Sequence, residues 1–266
     1  DAIEKEIEPR PGARFPLQMA VIELDKKLSM AGITTMYHAI GFNDEELQKG
    51  RGTEQSSELI EALYVANKSK LEVDNFIHAR FEITSHSSID TIKKLIRDKK
   101  VNMLSIMDHS PGQGQFKTME SWKKYHLKSY QIDENEVDAY IKSKAGKDKV
   151  HVVEDLVRFA QSYHLPILSH DDDSKEKIMM LKKLGVTFCE FPLSIETATF
   201  AKEHNIATGM GAPNVVRGGS QSGNIAAKEL IQAGVCDYLC SDYHPASMLL
   251  SPYRLNEDAN LSLEAG

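Results

Sequence analysis

Leu17, Val21, Leu24, Leu28 and Ala31 recur every three or four residues, the spacing of one helical face, and Gly32 follows as a stop signal. Ile33 to Ile40 is rich in β-branched residues and predicts a strand, after which Thr53 to Lys70 returns to a helical pattern. Asn75 to Thr84 alternates strictly. Ile77, Ala79, Phe81 and Ile83 share one face, and His78, Arg80 and Glu82 share the other. A buried parallel strand is ordinarily apolar on both faces, so this polar face predicts either solvent or a polar interior.

The same period changes continue down the chain. Ser88 to Lys99 predicts a helix, and Val101 to Met107 a strand that empties into Asp108 and His109. A charged helical insertion is expected from Met119 to Tyr163, broken near Gly146. Pro166 to Ser169 predicts a strand that ends in His170, Asp171, Asp172 and Asp173; Ser174 then caps a helix closed by Gly185. Val186 to Phe191 is a strand with Glu190 near its end, and Ser194 caps the next helix. Ile206 to Ala212 is a strand broken by Pro213 and Asn214. A glycine-rich loop follows over Arg217 to Asn224, then a helix from Asn224 to Ala233, with Gly234 as its stop. The last strand, Asp237 to Ser241, delivers Asp242. Only Asp1 to Pro16, with Pro9, Pro11 and Pro16, is expected to be an extended loop.

Seven strands alternating with helices predict an α/β fold with a parallel sheet and right-handed crossovers. Seven is one short of a closed (β/α)8 TIM-like barrel, so the expectation is such a barrel lacking its first strand. An open doubly wound sheet is the alternative. Polar strand ends spread over at least four strands suit a barrel mouth better than a single crevice. The 266 residues are expected to form one catalytic barrel domain, truncated at both ends.

Charge narrows the partners. Lys plus Arg total 32 against 39 Asp plus Glu, a formal net charge of −7, which argues against a nucleic-acid or membrane surface. A local basic pocket for a small anion remains open. The three cysteines, Cys189, Cys236 and Cys240, cannot all pair and favour a reduced, cytoplasmic setting. No apolar run approaches the length of a membrane span.

The candidate chemistry sits at the strand ends. Glu82, Asp108, His109, His170, Asp171 and Asp242 all fall there, with Asp1 where a preceding strand would end. Imidazole nitrogens with carboxylate oxygens are a ligand set for Zn2+, Mn2+ and related divalent ions, which bring the pKa of a bound water toward neutrality. Asp242 could then take up the water's proton. Cys240 shares the inward face of its strand, where a small thiol is more often packing than a ligand. The loop from Arg217 to Asn224 offers backbone amides, Ser220, Ser222 and a cation, the groups that bind a phosphate chain.

The stretches FIHARFE (76–82), SIMDHSPGQGQF (105–116), LSHDDDS (168–174), GMGAPNVVRGGSQSGN (209–224) and SDYHPAS (241–247) resemble the amidohydrolase superfamily. The branch they resemble is the triphosphate diphosphatases of the carbon–phosphorus lyase pathway, and the similarity runs from EKEIEPRPGARFP (4–16) through Ser247. The resemblance implies a metal-dependent hydrolase of phosphonate metabolism that cuts a ribosyl 5-triphosphate to the 5-phosphate and pyrophosphate. It puts metal ligation on His109, His170 and Asp242, with Glu82 as a bridging carboxylate and Asp1 on the aspartate of a His-x-Asp motif. It also implies divalent ions, Zn2+ ahead of Mn2+, Mg2+ or Fe2+, as a binuclear pair in the complete enzyme. A small flanking β-domain of that family is expected to be missing from this stretch, and His244 stands where the motif is expected to carry tyrosine. Substrate phosphates are expected on Arg80, Asn214, Arg217, Ser220, Ser222 and Asn224, helped by Lys5, Arg10 and Arg14. The partner is thus a small phosphorylated sugar, with self-association into a homo-oligomer left open. A metal-dependent amidase or deaminase, or a binding protein with an incomplete metal site, are the competing expectations.

Overall fold

The computed structural model describes residues 2–10, 12–43, 52–69, 71–110, 118–120, 123, 127, 150–220 and 223–259. Among the described residues, seven strands form one sheet: β1 (Thr35–Phe42), β2 (Asp74–Glu82), β3 (Met103–Met107), β4 (Ile167–His170), β5 (Phe188–Glu190), β6 (Ala207–Gly211) and β7 (Tyr238–Cys240). They lie in sequence order, and every neighbouring pair is parallel. The sheet curls into an incomplete barrel, and β1 and β7 flank a cavity of about 610 Å³ lined from both edges by residues such as Thr35 and Leu239. The open doubly wound alternative is excluded by this order, which never reverses.

Helix α2 (Leu17–Met30) precedes β1, the crossover helices are α3 (Thr53–Ala66), α4 (Ile89–Arg97), α5 (Val150–Ser162), α6 (Lys175–Lys183), α7 (Ile195–Glu203) and α9 (Ala227–Gln232), and α10 (Ser247–Ala259) follows β7. Their apolar faces meet the outward-facing strand residues. Leu28, Ile60, Leu63, Ile92, Ile96 and Leu156 pack in one core with Ile40, Phe42, Ala79, Phe81 and Leu104. Met210, Val215, Ala227, Leu230 and Leu255 form a second core beneath β6. His78 and Glu82 are 5% and 4% exposed, so the polar face of β2 is barrel interior rather than a solvated surface.

Both serine caps form as the sequence predicts. Ser174 Oγ accepts from Lys177 N at 3.3 Å, and Ser194 Oγ accepts from Thr197 N at 3.1 Å. Two expectations fail. Asp1 to Pro16 is not a plain extended loop, because Ala2–Ile7 is a helix (α1). Its prolines all lie beyond the helix, and Ile3 and Ile7, one turn apart, are buried against α2. Pro213 does not merely end β6 either. It occupies the first turn of α8 (Ala212–Arg217), where its missing N–H costs nothing, and Gly218 closes that helix with φ +79°. The next helix accordingly starts at Ala227 rather than Asn224. The insertion expected over 119–163 lies outside the described residues except for a few positions and α5.

Candidate metal centre

The carboxyl ends of four strands converge. Glu82 ends β2, His109 lies two residues past β3, His170 ends β4 with Asp171 directly after it, and Glu190 ends β5. The β4–β5 register pairs His170 with Glu190 directly. Asp171, Phe191 and Asp242 follow their strands with φ of 52°, 59° and 47°, left-handed bends that fold each chain end sharply over the mouth. Such bends are costly outside glycine, and aspartate tolerates them better than most residues.

Two histidines and one carboxylate face each other. Asp171 Oδ2 lies 3.1 Å from His170 Nδ1 and 3.6 Å from His109 Nε2. Donor atoms of His109, His170 and Asp171 all fall within 4.8 Å of one another, a grouping that could hold a metal ion. The far side of each ring meets a carboxylate. His109 Nδ1 lies 3.0 Å from Glu82 Oε2, and His170 Nε2 lies 3.4 Å from Glu190 Oε2. A metal-binding imidazole typically donates its other N–H to a carboxylate, which fixes the tautomer and turns the free lone pair inward. Both rings meet that condition. The donor set therefore fits a divalent ion, with His109 Nε2, His170 Nδ1 and Asp171 Oδ2 as the inward atoms.

The electrostatics show what the ion would replace. Burial pulls the His109 pKa down, but hydrogen bonds to Asp171 and Glu82 outweigh it and raise it to about 9. His170 is also raised, because Asp171 overcomes its burial and the repulsion of Arg80. Burial pushes Glu190 up, yet His170 holds it down at about 2, and Asp171 is likewise held low by the two imidazoles. In the absence of an ion, the imidazoles and carboxylates each favour the other's charged form. A divalent cation can substitute for the imidazole protons in the same site.

The other expected ligands lie nearby, outside the tight group of donor atoms. Glu82 rests on the far nitrogen and the backbone N of His109 (3.3 and 3.4 Å), rather than among the grouped donor atoms. Asp242 faces the cavity also lined by Arg80, His170 and Glu190 but is not part of the tight group. Burial pushes its carboxyl up, against the pull of Arg80 and His170. Asp108 accepts from Ser110 N at 3.1 Å and shapes the turn after β3. Cys240 lines the cavity with its thiol pushed well above the usual range by burial. Asp1 lies outside the described residues. Glu190 is the site residue that sequence reasoning left without a role, although it ends the strand following His170.

Arg80 is placed at the centre. Its NH2 lies 3.5 Å from His170 Nε2, and its Nε donates to Met107 Sδ at 3.1 Å. Arg217 stands farther out, where its NH1 donates to Tyr243 Oη at 3.3 Å, and Lys5 Nζ sits 4.2 Å over the same Tyr243 ring. Two cations thereby meet beside the residue that follows Asp242. Asn214 ties α8 to the start of α9, since its Oδ1 accepts from Ala227 N at 2.9 Å and its Nδ2 reaches Ile225 O at 3.4 Å. Ser220 and Asn224 are half-buried in the loop after α8. Ser222 lies outside the described residues. No described helix is long and apolar enough to cross a membrane.

No protein-family model matches the chain. The alpha-D-ribose 1-methylphosphonate 5-triphosphate diphosphatase of Escherichia coli (strain K12) is 32% identical over 262 residues, covering 97% of this chain and 69% of that protein. Among solved structures, an adenine deaminase from Arthrobacter aurescens superimposes with a TM-score of 0.54 at 12% identity, covering 92% of this chain and 69% of that one. An uncharacterised metal-dependent hydrolase from Pyrococcus horikoshii gives 0.51 at 11% identity, with 92% and 49% covered. At such identities the two structures speak for the fold alone: the curled parallel sheet is that of the TIM-barrel-like hydrolases. The chain belongs to the family of its bacterial relative, the alpha-D-ribose 1-methylphosphonate 5-triphosphate diphosphatases, and is a hydrolase.

Proposed function

We propose that this hydrolase is metal-dependent and cuts alpha-D-ribose 1-methylphosphonate 5-triphosphate to the 5-phosphate and pyrophosphate, consuming one water as one phosphoric anhydride bond breaks. The observation that carries the proposal is the juxtaposition at one mouth of the His109–His170–Asp171 group with the cations Arg80, Arg217 and Lys5. A triphosphate held away from water needs paired cations and amides, and these three side chains supply cations beside the acidic strand ends.

His109, His170 and Asp171 are assigned as ligands, with Glu82 and Glu190 fixing the two rings. A divalent ion held there would supply an activated water and polarise a phosphoryl oxygen. Asp242, with its carboxyl pushed up by burial, is the assigned proton acceptor. Arg80 is assigned to the phosphoryl group nearest the ligands. Arg217, Ser220, Ser222 and Asn224, with Lys5, take the distal phosphates and hold the developing charge.

The test is pyrophosphate release from ribosyl 5-triphosphates by wild type and Arg217→Ala. A charge-assisted contact to phosphate is worth about 1.5–3 kcal/mol, so kcat/KM should fall roughly 10- to 150-fold with the melting temperature nearly unchanged. The loss should shrink for 5-diphosphates, which present fewer anionic oxygens. Equal efficiency of wild type and variant would sink the phosphate assignment of the loop. Turnover of amides or aminopurines in place of triphosphates would replace the proposed substrate class.

A further inference from the structure

Lys177 lies in the first turn of α6, where a cation opposes the helix dipole, so a local partner must hold it there. Its Nζ lies 3.0 Å from Asp172 Oδ1, 3.2 Å from His170 O and 3.4 Å from Asp171 O. The ammonium hydrogen-bonds both backbone carbonyls and pairs with Asp172 Oδ1 by charge. Two of the acceptors are the backbone carbonyls of the residues that point into the metal centre.

The surroundings make this a closed unit. Asp172 is fully buried; its other oxygen accepts from Ser169 Oγ, and the Cys189 thiol lies against it. Burial pulls the Lys177 pKa down, but the charge of Asp172 outweighs it and keeps the amine protonated. The Asp171 peptide is held from the other side too, since its N–H donates to Glu190 O at 2.9 Å. A left-handed residue persists only where its surroundings determine it, and Lys177 supplies one half of that constraint. A buried ion pair is a poor source of stability by itself, because desolvating both charges offsets their attraction. Something other than stability is therefore the better account of a lysine reaching under these two carbonyls.

We infer that Lys177 is a positioning residue, which sets the direction of the His170 and Asp171 side chains by holding the carbonyls of both. The inference rests on the metal-centre assignment above. Removing the lysine alone would strand a buried carboxylate, so the informative variant is Lys177→Met combined with Asp172→Asn. Lys177→Arg, which keeps the charge pair but changes the donor geometry, is the second. Zn2+ affinity by chelator competition, the visible absorption of the Co2+-loaded protein and the melting temperature are measured for each. Folded variants should bind Zn2+ about 10- to 100-fold more weakly than wild type, with an altered Co2+ spectrum. A merely structural lysine would move the melting temperature and leave affinity and spectrum alone, and that result in either folded variant overturns the inference. Failure of the wild type itself to take up Zn2+ or Co2+ overturns the metal centre, and the positioning role with it.

Discussion

Glu82→Gln separates two roles for the carboxylate that ends β2. As a bridging ligand, its removal would cost one coordinating oxygen and change how many ions bind. In the structure it instead accepts from His109 Nδ1 at 3.0 Å, in a pocket that leaves it 4% exposed. Glutamine keeps the shape and one acceptor but loses the charge. The two contacts to the His109 backbone N, at 3.3 and 3.4 Å, are long and add little. One charge-assisted hydrogen bond is therefore weakened to a neutral one, a loss of about 1–2 kcal/mol. That corresponds to roughly 5- to 30-fold weaker metal binding, overlapping the lower part of the usual range of about 10- to 100-fold for a partner behind a ligand. The assay is Zn2+ competition against a chromophoric chelator, with the ion-to-protein ratio read from the same titration. The ratio should stay the same while the affinity falls. A lower ratio would show that Glu82 is a ligand, and unchanged affinity would show that it does not hold His109.

Other outcomes follow from the packing. His38 is buried with Nε2 2.6 Å from Asn75 Oδ1, and burial lowers its pKa to about 4. The unfolded chain thus takes the proton more readily, so stability is full above pH 6.5 and falls as pH drops toward 4. At about 1.4 kcal/mol per pH unit, the total loss is about 3 kcal/mol; His38→Gln should flatten that slope in urea unfolding between pH 7 and 4, and an unflattened slope would exclude His38 as its source. At Gly209 an added β-carbon would clash with the hydroxyl end of the Tyr238 ring, so Gly209→Ala should destabilise the fold by about 1–3 kcal/mol, whereas an unchanged melting temperature would mean that the ring is free to move. Ser194→Ala removes the cap of α7 and should cost about 1 kcal/mol in chemical denaturation, with no effect on metal affinity.

Local rules in the sequence carried much of the fold. The alternation of His78, Arg80 and Glu82 with Ile77, Ala79 and Phe81 already implied a polar barrel interior, once solvent could be ruled out by burial. The caps at Ser174 and Ser194 and the stop at Gly185 depend only on neighbours in the chain, and they were legible for that reason. The helix Ala2–Ile7 was hidden by three prolines just beyond it, because its stability comes from packing Ile3 and Ile7 on α2. Asn214 shows the same limit: its two bonds reach eleven and thirteen residues along, to a helix start that no local pattern marks. At the metal centre His109 and His170 were legible as strand-end histidines. Which carboxylate faces them was not, because the answer depends on the left-handed bend at Asp171 and on the register that sets Glu190 beside His170.

The most direct measurement is the divalent metal content of wild type and His170→Ala, each stripped with chelator, reloaded with Zn2+ and assayed for triphosphate hydrolysis. The account predicts that the wild type regains metal and hydrolysis together, and that the folded variant regains neither, since a lost imidazole leaves the site under-coordinated. A folded His170→Ala protein that binds as much metal as the wild type, or a stripped wild type that still hydrolyses the triphosphate, would contradict it.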